Sequence, residues 1–190
     1  MFTVSNYECT NVVNKSKFIT NIISVDNIDD VNKNLEIIKS KYKDATHHCY
    51  AYIIDNIKRF NDDKEPSGTA GMPILECLEK NNLNHVLCIV TRYFGGIKLG
   101  AGGLLRAYSN SCSNAILNTN KLEMIKGLNV LITFDYTKVN DIDKLINNFN
   151  INSKVFDKLI TYDIDIDYDT YEKLKNIVKV EVKKEIIIKK

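Results

Sequence analysis

The sequence predicts an α/β protein of the α+β kind, arranged as two domains over residues 1–120 and 125–190. Segments with period-two or continuous apolar residues, which indicate strands, alternate with segments whose apolar residues recur at helical spacing. The composition is 44% hydrophobic and 26% charged over 190 residues, which suits a globular chain with two cores. Seven of the eight glycines and all three arginines precede residue 118, so the character of the chain changes there.

The first domain begins with two predicted strands, at 2–13 and 17–25, the second of them largely apolar. Apolar residues at helical spacing from Ile28 to Tyr42 then predict a helix that Asp26 or Asn27 caps. A third strand is predicted at 45–54.

The second half of this domain contains its most apolar strand. Pro73 suits the first turn of a short helix that follows a polar stretch. The nearly continuous apolar run at 85–94 predicts a central strand buried on both faces. A helix with Leu104, Tyr108 and Cys112 on one face follows a glycine-rich loop.

The second domain shows a strand–helix–strand–strand–helix–strand pattern. Thr137 is the expected cap of its first helix, and Asp169 with Glu172 resembles a capping box at the start of the second. The order is that of the ferredoxin-like split βαβ arrangement. Its elements are predicted at 128–134, 139–149, 151–156, 160–168, 171–178 and 180–188.

Charge and cysteine content exclude several classes of protein. Lysine and arginine number 26 against 24 acidic residues, a net charge of +2 that does not by itself indicate a polyanion binder. No apolar run approaches 18 residues and the N-terminus lacks a signal pattern, so we expect neither a membrane partner nor secretion. The five cysteines form no CxxC pair, which favours a reducing cytoplasm and predicts no metal site. We also expect no cofactor.

Two glycine-rich segments, at 65–71 and 92–103, each run directly into a predicted helix N-terminus. Such a terminus presents unpaired N–H groups and the positive end of the helix dipole, which favour an anion. Neither segment fits a Walker or dinucleotide fingerprint, and the alternative is that the glycines serve only tight turns and close packing. The candidate anion- or nucleic-acid-binding residues of these loops are Ser67, Gly68, Thr69, Gly71, Gly95, Gly96, Gly100, Gly102 and Gly103.

Three cations accompany the second loop: Arg92, Lys98 and Arg106. Because only three of the 26 basic residues are arginine, its planar donor fork is expected to matter where it occurs. Together the three side chains would form a cationic rim around a phosphate. The alternative is a structural ion pair of Arg92 or Arg106 with Glu65.

The cluster His47-His48-Cys49 resembles a metal site, but neighbouring residues on a strand point to opposite faces. His48, Tyr50 and Tyr52 share one face and would form a platform for stacking bases, with core packing as the alternative. The face that carries Asp163, Asp165 and Asp167 is expected to be solvated. No spacing indicates a catalytic triad or a carboxylate pair, so the sequence gives no catalytic residue.

With these residues described, the chain resembles the bacterial YigZ group of the IMPACT family. The matching segments are Lys15-Ser-Lys-Phe18, His47-His-Cys-Tyr-Ala-Tyr52, Glu65-Pro-Ser-Gly-Thr-Ala-Gly71 and Ile89-Val-Thr-Arg-Tyr-Phe-Gly-Gly-Ile-Lys-Leu-Gly100. Tyr50 stands where tryptophan is often expected. The resemblance implies a ribosomal-protein-S5-domain-2-like fold for the first domain and a ferredoxin-like second domain.

The resemblance also implies a function, because eukaryotic relatives are associated with the control of translation during amino-acid starvation. The leading hypothesis is a non-enzymatic cytoplasmic regulator that contacts RNA or the ribosome through the glycine-rich loops. One alternative is an enzyme or sensor for a small phosphorylated metabolite at the same loops. Another is a protein-interaction adaptor in starvation-linked translational control.

Overall fold

A computed structural model describes residues 1–190, which divide into two compact units, Met1–Leu122 and Glu123–Lys190. The first unit contains six strands and three helices, and a seventh strand begins at its end. Its elements are β1 (Phe2–Val4), β2 (Tyr7–Val13), β3 (Ser16–Ser24), α1 (Ile28–Lys41), β4 (His47–Ile54), β5 (Ile57–Asn61), α2 (Gly71–Lys80), β6 (Val86–Tyr93) and α3 (Gly100–Asn118).

Five strands of the first unit form one antiparallel sheet in the order β2-β3-β6-β4-β5. The apolar segment predicted as a central strand is β6, which lies in the middle and is buried along nearly its whole length. The prediction is confirmed, since helices cover both faces of the sheet.

The two faces of this sheet have separate apolar cores. On one face α1 contributes Val31, Leu35 and Ile38 to a cluster with Leu87 and Ile89 of β6. On the other face α2 and α3 pack against the alternate residues of β3, β4 and β6. Burying both faces explains why the sequence of β6 shows no polar alternation.

The second unit has the β-α-β-β-α-β order that the sequence predicts. Its sheet is antiparallel, in the order β10-β7-β9-β8, and the inward residues of β7 and β9 form its core with α4 and α5. None of the helices in either unit is long and apolar enough to cross a bilayer. The elements are β7 (Lys121–Phe134), a 3-10 turn (Tyr136–Lys138), α4 (Val139–Ile146), β8 (Ile151–Phe156), β9 (Ile160–Asp167), α5 (Tyr168–Leu174) and β10 (Lys179–Lys189).

Four local predictions are corrected. The polar stretch after 54 contains the edge strand β5, whose residues are all exposed and therefore show no burial pattern. The first strand of the second domain, predicted at 128–134, is longer than predicted, because β7 begins at Lys121. Asp135, not Thr137, caps the turn before α4, and Asp167, not Asp169, caps α5 by accepting from the Thr170 amide.

Candidate anion-binding site

The loop that joins β6 to α3 lies against the start of β3. A Cβ atom on Gly95 would lie 2.0 Å from the carbonyl carbon of Lys15, so only glycine fits there. The Gly95 amide donates to Ser16 Oγ at 3.2 Å, and the Phe94 amide donates to Thr46 Oγ1 at 3.1 Å. The Gly95 amide, which the sequence predicts as a ligand of an external anion, therefore already has a partner within the chain.

The N-terminus of α3 has no side-chain cap. Leu99 occupies the N-cap position without a capping hydrogen bond, and the first turn holds no acidic residue. Gly100 enters the helix with φ +70°, a left-handed conformation that favours glycine. The amides of this first turn remain available to an anion.

A cavity of about 330 Å³ opens in front of this helix terminus. Lys98 is exposed beside it, while Arg92 and Glu65 are buried next to it. The lining residues are Glu65, Pro66, Arg92, Phe94, Lys98, Leu99, Gly100, Ala101 and Leu104.

Several residues of the predicted site lie outside this cavity. Arg106 is exposed on α3 but does not line it. Gly102 and Gly103 belong to the first turn of α3, and Gly96 occupies an exposed turn with φ +81°. The predicted cationic rim is therefore reduced to Lys98 at the cavity, with Arg106 further along the helix.

Arg92 is only 4% exposed, and most of its guanidinium is satisfied within the protein. Its NH1 group donates to Glu65 Oε1 at 2.6 Å, and NH2 donates to Ser16 Oγ at 3.3 Å. Its Nε has no hydrogen-bond partner. The ion pair that the sequence left as the alternative is present, so Arg92 is no free phosphate ligand.

Glu65 is the centre of a buried polar cluster. Tyr108 donates its hydroxyl to Glu65 Oε1 at 2.8 Å, and His47 Nε2 lies 3.8 Å from the same atom. Cys49 Sγ lies 3.4 Å from the Tyr108 hydroxyl. Burial raises the pKa of both the Cys49 thiol and the Tyr108 hydroxyl far above their usual values, so Cys49 is no activated nucleophile.

The first glycine-rich loop is already occupied by a carboxylate of the chain itself. Asp62 accepts hydrogen bonds from the amides of Gly68 at 2.9 Å, Ala70 at 3.1 Å and Gly71 at 2.8 Å. Thr69 Oγ1 donates to Pro66 O, and Ser67 is exposed. These amides, which the sequence predicts as ligands of an external anion, are therefore already satisfied within the chain.

The predicted stacking platform is not available as a unit. His48 is buried, and burial lowers the pKa of its imidazole. Tyr50 and Tyr52 are half-buried against the cluster that α1 covers. The three residues alternate along β4 and share one face, but His48 is only 8% exposed and does not offer its ring for stacking. No group of three or more His, Cys, Asp or Glu side chains could hold a metal ion.

Sequence reasoning missed two residues of this region, Asp62 and Tyr108. Asp62 lies in the polar stretch that follows β5, and nothing in its spacing distinguishes it from Asp63. Tyr108 lies on the apolar face of α3, where its hydroxyl gives no sequence signal.

The fold and the site define a two-unit α/β protein with a glycine-rich helix terminus set beside a buried arginine–glutamate pair. Residues 14–116 match the Impact N-terminal domain, and the chain belongs to the IMPACT family.

The chain is 40% identical over 164 residues to the IMPACT family member YvyE of Bacillus subtilis, covering 84% of this chain and 73% of that protein. It is 37% identical over 109 residues to YigZ of Escherichia coli, covering 55% of this chain and 53% of YigZ. A crystal structure of a hypothetical protein shares the fold, with a TM-score of 0.66, 22% identity and 95% of each chain covered.

Proposed function

We propose that this chain is a cytoplasmic translational regulator that binds RNA and holds a backbone phosphate at the cavity before α3. One observation carries the proposal: the uncapped N-terminus of α3 and the exposed Lys98 meet at the same cavity. Amide donors and an ammonium group together favour a phosphate. Such a contact positions RNA without reading its sequence.

The surroundings of the cavity supply further contacts for a nucleic acid. Phe94 is 47% exposed at the cavity edge, and Ile97 is exposed in the same loop. An exposed aromatic ring offers a face on which a base can stack. Arg106, on the surface of α3, supports a contact with a neighbouring phosphate.

The proposed role in translation is supported by family membership. The resemblance seen in the sequence associates eukaryotic relatives with translational control, and the chain belongs to that family. The ribosome or a protein of the translation apparatus is therefore the proposed partner. A pulldown from lysate with and without nuclease separates the two, since an RNA-mediated partner is lost on digestion.

The phosphate contact is tested by titrating the chain against structured RNA at several salt concentrations. We expect affinity to fall with salt, and Lys98→Ala to reduce the log–log slope by about one unit for the contact removed. Lys33→Ala is the matched control, because Lys33 is exposed on α1, across the sheet from α3. Salt-independent binding, no binding at micromolar protein, or an equal effect of both variants contradicts the proposal.

The size of the cavity favours a second candidate function. At about 330 Å³ it falls in the range of small-molecule sites, which begins at roughly 300 Å³. A phosphorylated metabolite held there would raise the unfolding temperature, and above its dissociation constant the stabilisation would grow with the logarithm of its concentration. Stabilisation by such a metabolite without RNA binding supports this candidate, and RNA binding without stabilisation excludes it.

A further inference from the structure

One buried group beside the cavity is not used by the proposed phosphate contact. Glu65 lines the cavity, and its carboxylate has three polar neighbours. Arg92 NH1 at 2.6 Å, the Tyr108 hydroxyl at 2.8 Å and His47 Nε2 at 3.8 Å all approach Oε1. The second oxygen, Oε2, is left without a hydrogen-bond partner in the chain.

The chemistry of Glu65 Oε2 restricts which ligand groups can bind to it. A carboxylate paired with a guanidinium accepts hydrogen bonds and donates none, so the ligand must present a donor. A phosphate oxygen is excluded from this position by like charge, and its place is beside Lys98 and the start of α3. The ligand therefore carries a phosphate and a separate donor.

The rest of the lining indicates which donor this is. Lys98 and the positive end of α3 make the cavity electropositive, because the charge of Arg92 is already matched by Glu65, and this opposes an ammonium group. Pro66, Leu99 and Leu104 contribute apolar walls that suit a neutral ring carrying hydroxyl groups. A carboxylate that accepts from a ribose hydroxyl is a recurrent arrangement in nucleotide sites.

We propose that Glu65 Oε2 accepts a hydrogen bond from the ribose 2′-hydroxyl of the nucleotide whose phosphate lies at α3. The inference rests on the proposed function and adds a substrate class to it, because the site then selects ribonucleotides over deoxyribonucleotides. The 2′-hydroxyl is the group by which a protein distinguishes RNA from DNA.

The test compares four single-stranded oligonucleotides of identical length and uracil sequence on the wild-type chain. Their sugars are ribose, 2′-deoxyribose, 2′-fluororibose and 2′-O-methylribose. The fluoro sugar keeps an RNA-like pucker but has no donor, so it separates hydrogen bonding from backbone shape. We expect the ribose strand to bind at least about tenfold more tightly than the deoxy and fluoro strands. Deoxy or fluoro binding within twofold of ribose overturns the inference.

The double variant Arg92→Met, Glu65→Leu supplies a second measurement. It removes the acceptor together with its paired cation, and leucine neither accepts from nor donates to a 2′-hydroxyl, so the tenfold preference for ribose should disappear. A variant that keeps this preference overturns the inference. If the double variant does not fold, the wild-type series alone decides. Equal, salt-dependent binding of all four strands rejects the inference and leaves the phosphate contact standing, whereas binding of none rejects the proposed function itself.

Discussion

The guanidinium of Arg92 and the carboxylate of Glu65 form a 2.6 Å ion pair across 27 residues of sequence. Both side chains are about 5% exposed or less. The pair ties the end of β6 to the loop before α2, and it forms the buried side of the cavity. Loss of this ion pair should therefore lower the stability of the fold, whether or not a ligand is bound.

Arg92→Ala should lower the free energy of unfolding by about 3–5 kcal/mol, because it leaves a buried carboxylate without its cation. Urea denaturation measures the effect. The double variant Arg92→Met, Glu65→Leu should lose less than either single variant, since it removes both charges. Lys98→Ala, at an exposed position, should change stability by no more than about 0.5 kcal/mol. A loss below about 1 kcal/mol for Arg92→Ala contradicts the buried pair.

Asp62→Ala should destabilise the chain by about 1–2 kcal/mol, because it removes the acceptor of three amides in the loop that leads into α2 and at the first residue of that helix. The vacated amides then form an anion site. Sulfate should accordingly raise the unfolding temperature of the variant more than that of the wild type, compared with sodium chloride at equal ionic strength. Equal stabilisation of the two proteins would show that Asp62 does not occupy such a site.

Gly95→Ala should destabilise the chain strongly or prevent folding, since its Cβ would collide with the backbone of Lys15 at 2.0 Å. Gly102→Ala is the matched control within the same glycine-rich segment. A Cβ there meets only Arg106 NH1 at 3.7 Å, and alanine in a helix is favoured over glycine by up to about 1 kcal/mol. Thermal melts should shift in opposite directions, and a shared direction would contradict the packing described for Gly95.

Acid should weaken the second unit through Asp163. Hydrogen bonds from Lys183 and Asn129 lower the pKa of Asp163 to about 2. Because the folded-state pKa lies below the unfolded value near 4, the stabilisation is present above pH 4 and is lost as the pH falls towards 2. Asp163→Asn should flatten the pH dependence of stability in that window.

Asp157→Asn is the control for this titration, because Asp157 lies at the tip of the β8–β9 hairpin and its carboxylate makes no ion pair. Chemical denaturation at half-unit pH steps gives both profiles. An unchanged acid slope in Asp163→Asn would contradict the role of the Lys183 and Asn129 hydrogen bonds.

The architecture was predictable because burial leaves periodic patterns in sequence. The continuous apolar run of β6 and the helical spacing of α1 both identified their elements. β5 escaped because an exposed edge strand buries neither face, so its polar residues resemble a loop. The periodicity of apolar residues indicates burial, so it does not identify a strand that is held mainly by backbone hydrogen bonds.

The site was only partly predictable, since residue type does not say which charges are already paired. The sequence identified both glycine-rich loops as anion sites of equal rank. The structure distinguishes them, because Asp62 occupies the first loop while the start of α3 has no cap. These contacts join side chains to backbone amides in a neighbouring loop, and they depend on how the chain turns between β5 and α2.

The central position of β6 determines which side of the cavity can change its conformation when a ligand binds. Strands on both sides and helices on both faces protect the amides of β6, so they should be among the last to exchange in deuterium oxide. Arg92 is anchored to that slow-exchanging strand, whereas Lys98 lies on an exposed loop. When a ligand binds, conformational change should therefore be confined to the exposed loop that carries Lys98, while the side of the cavity formed by Arg92 and β6 stays rigid.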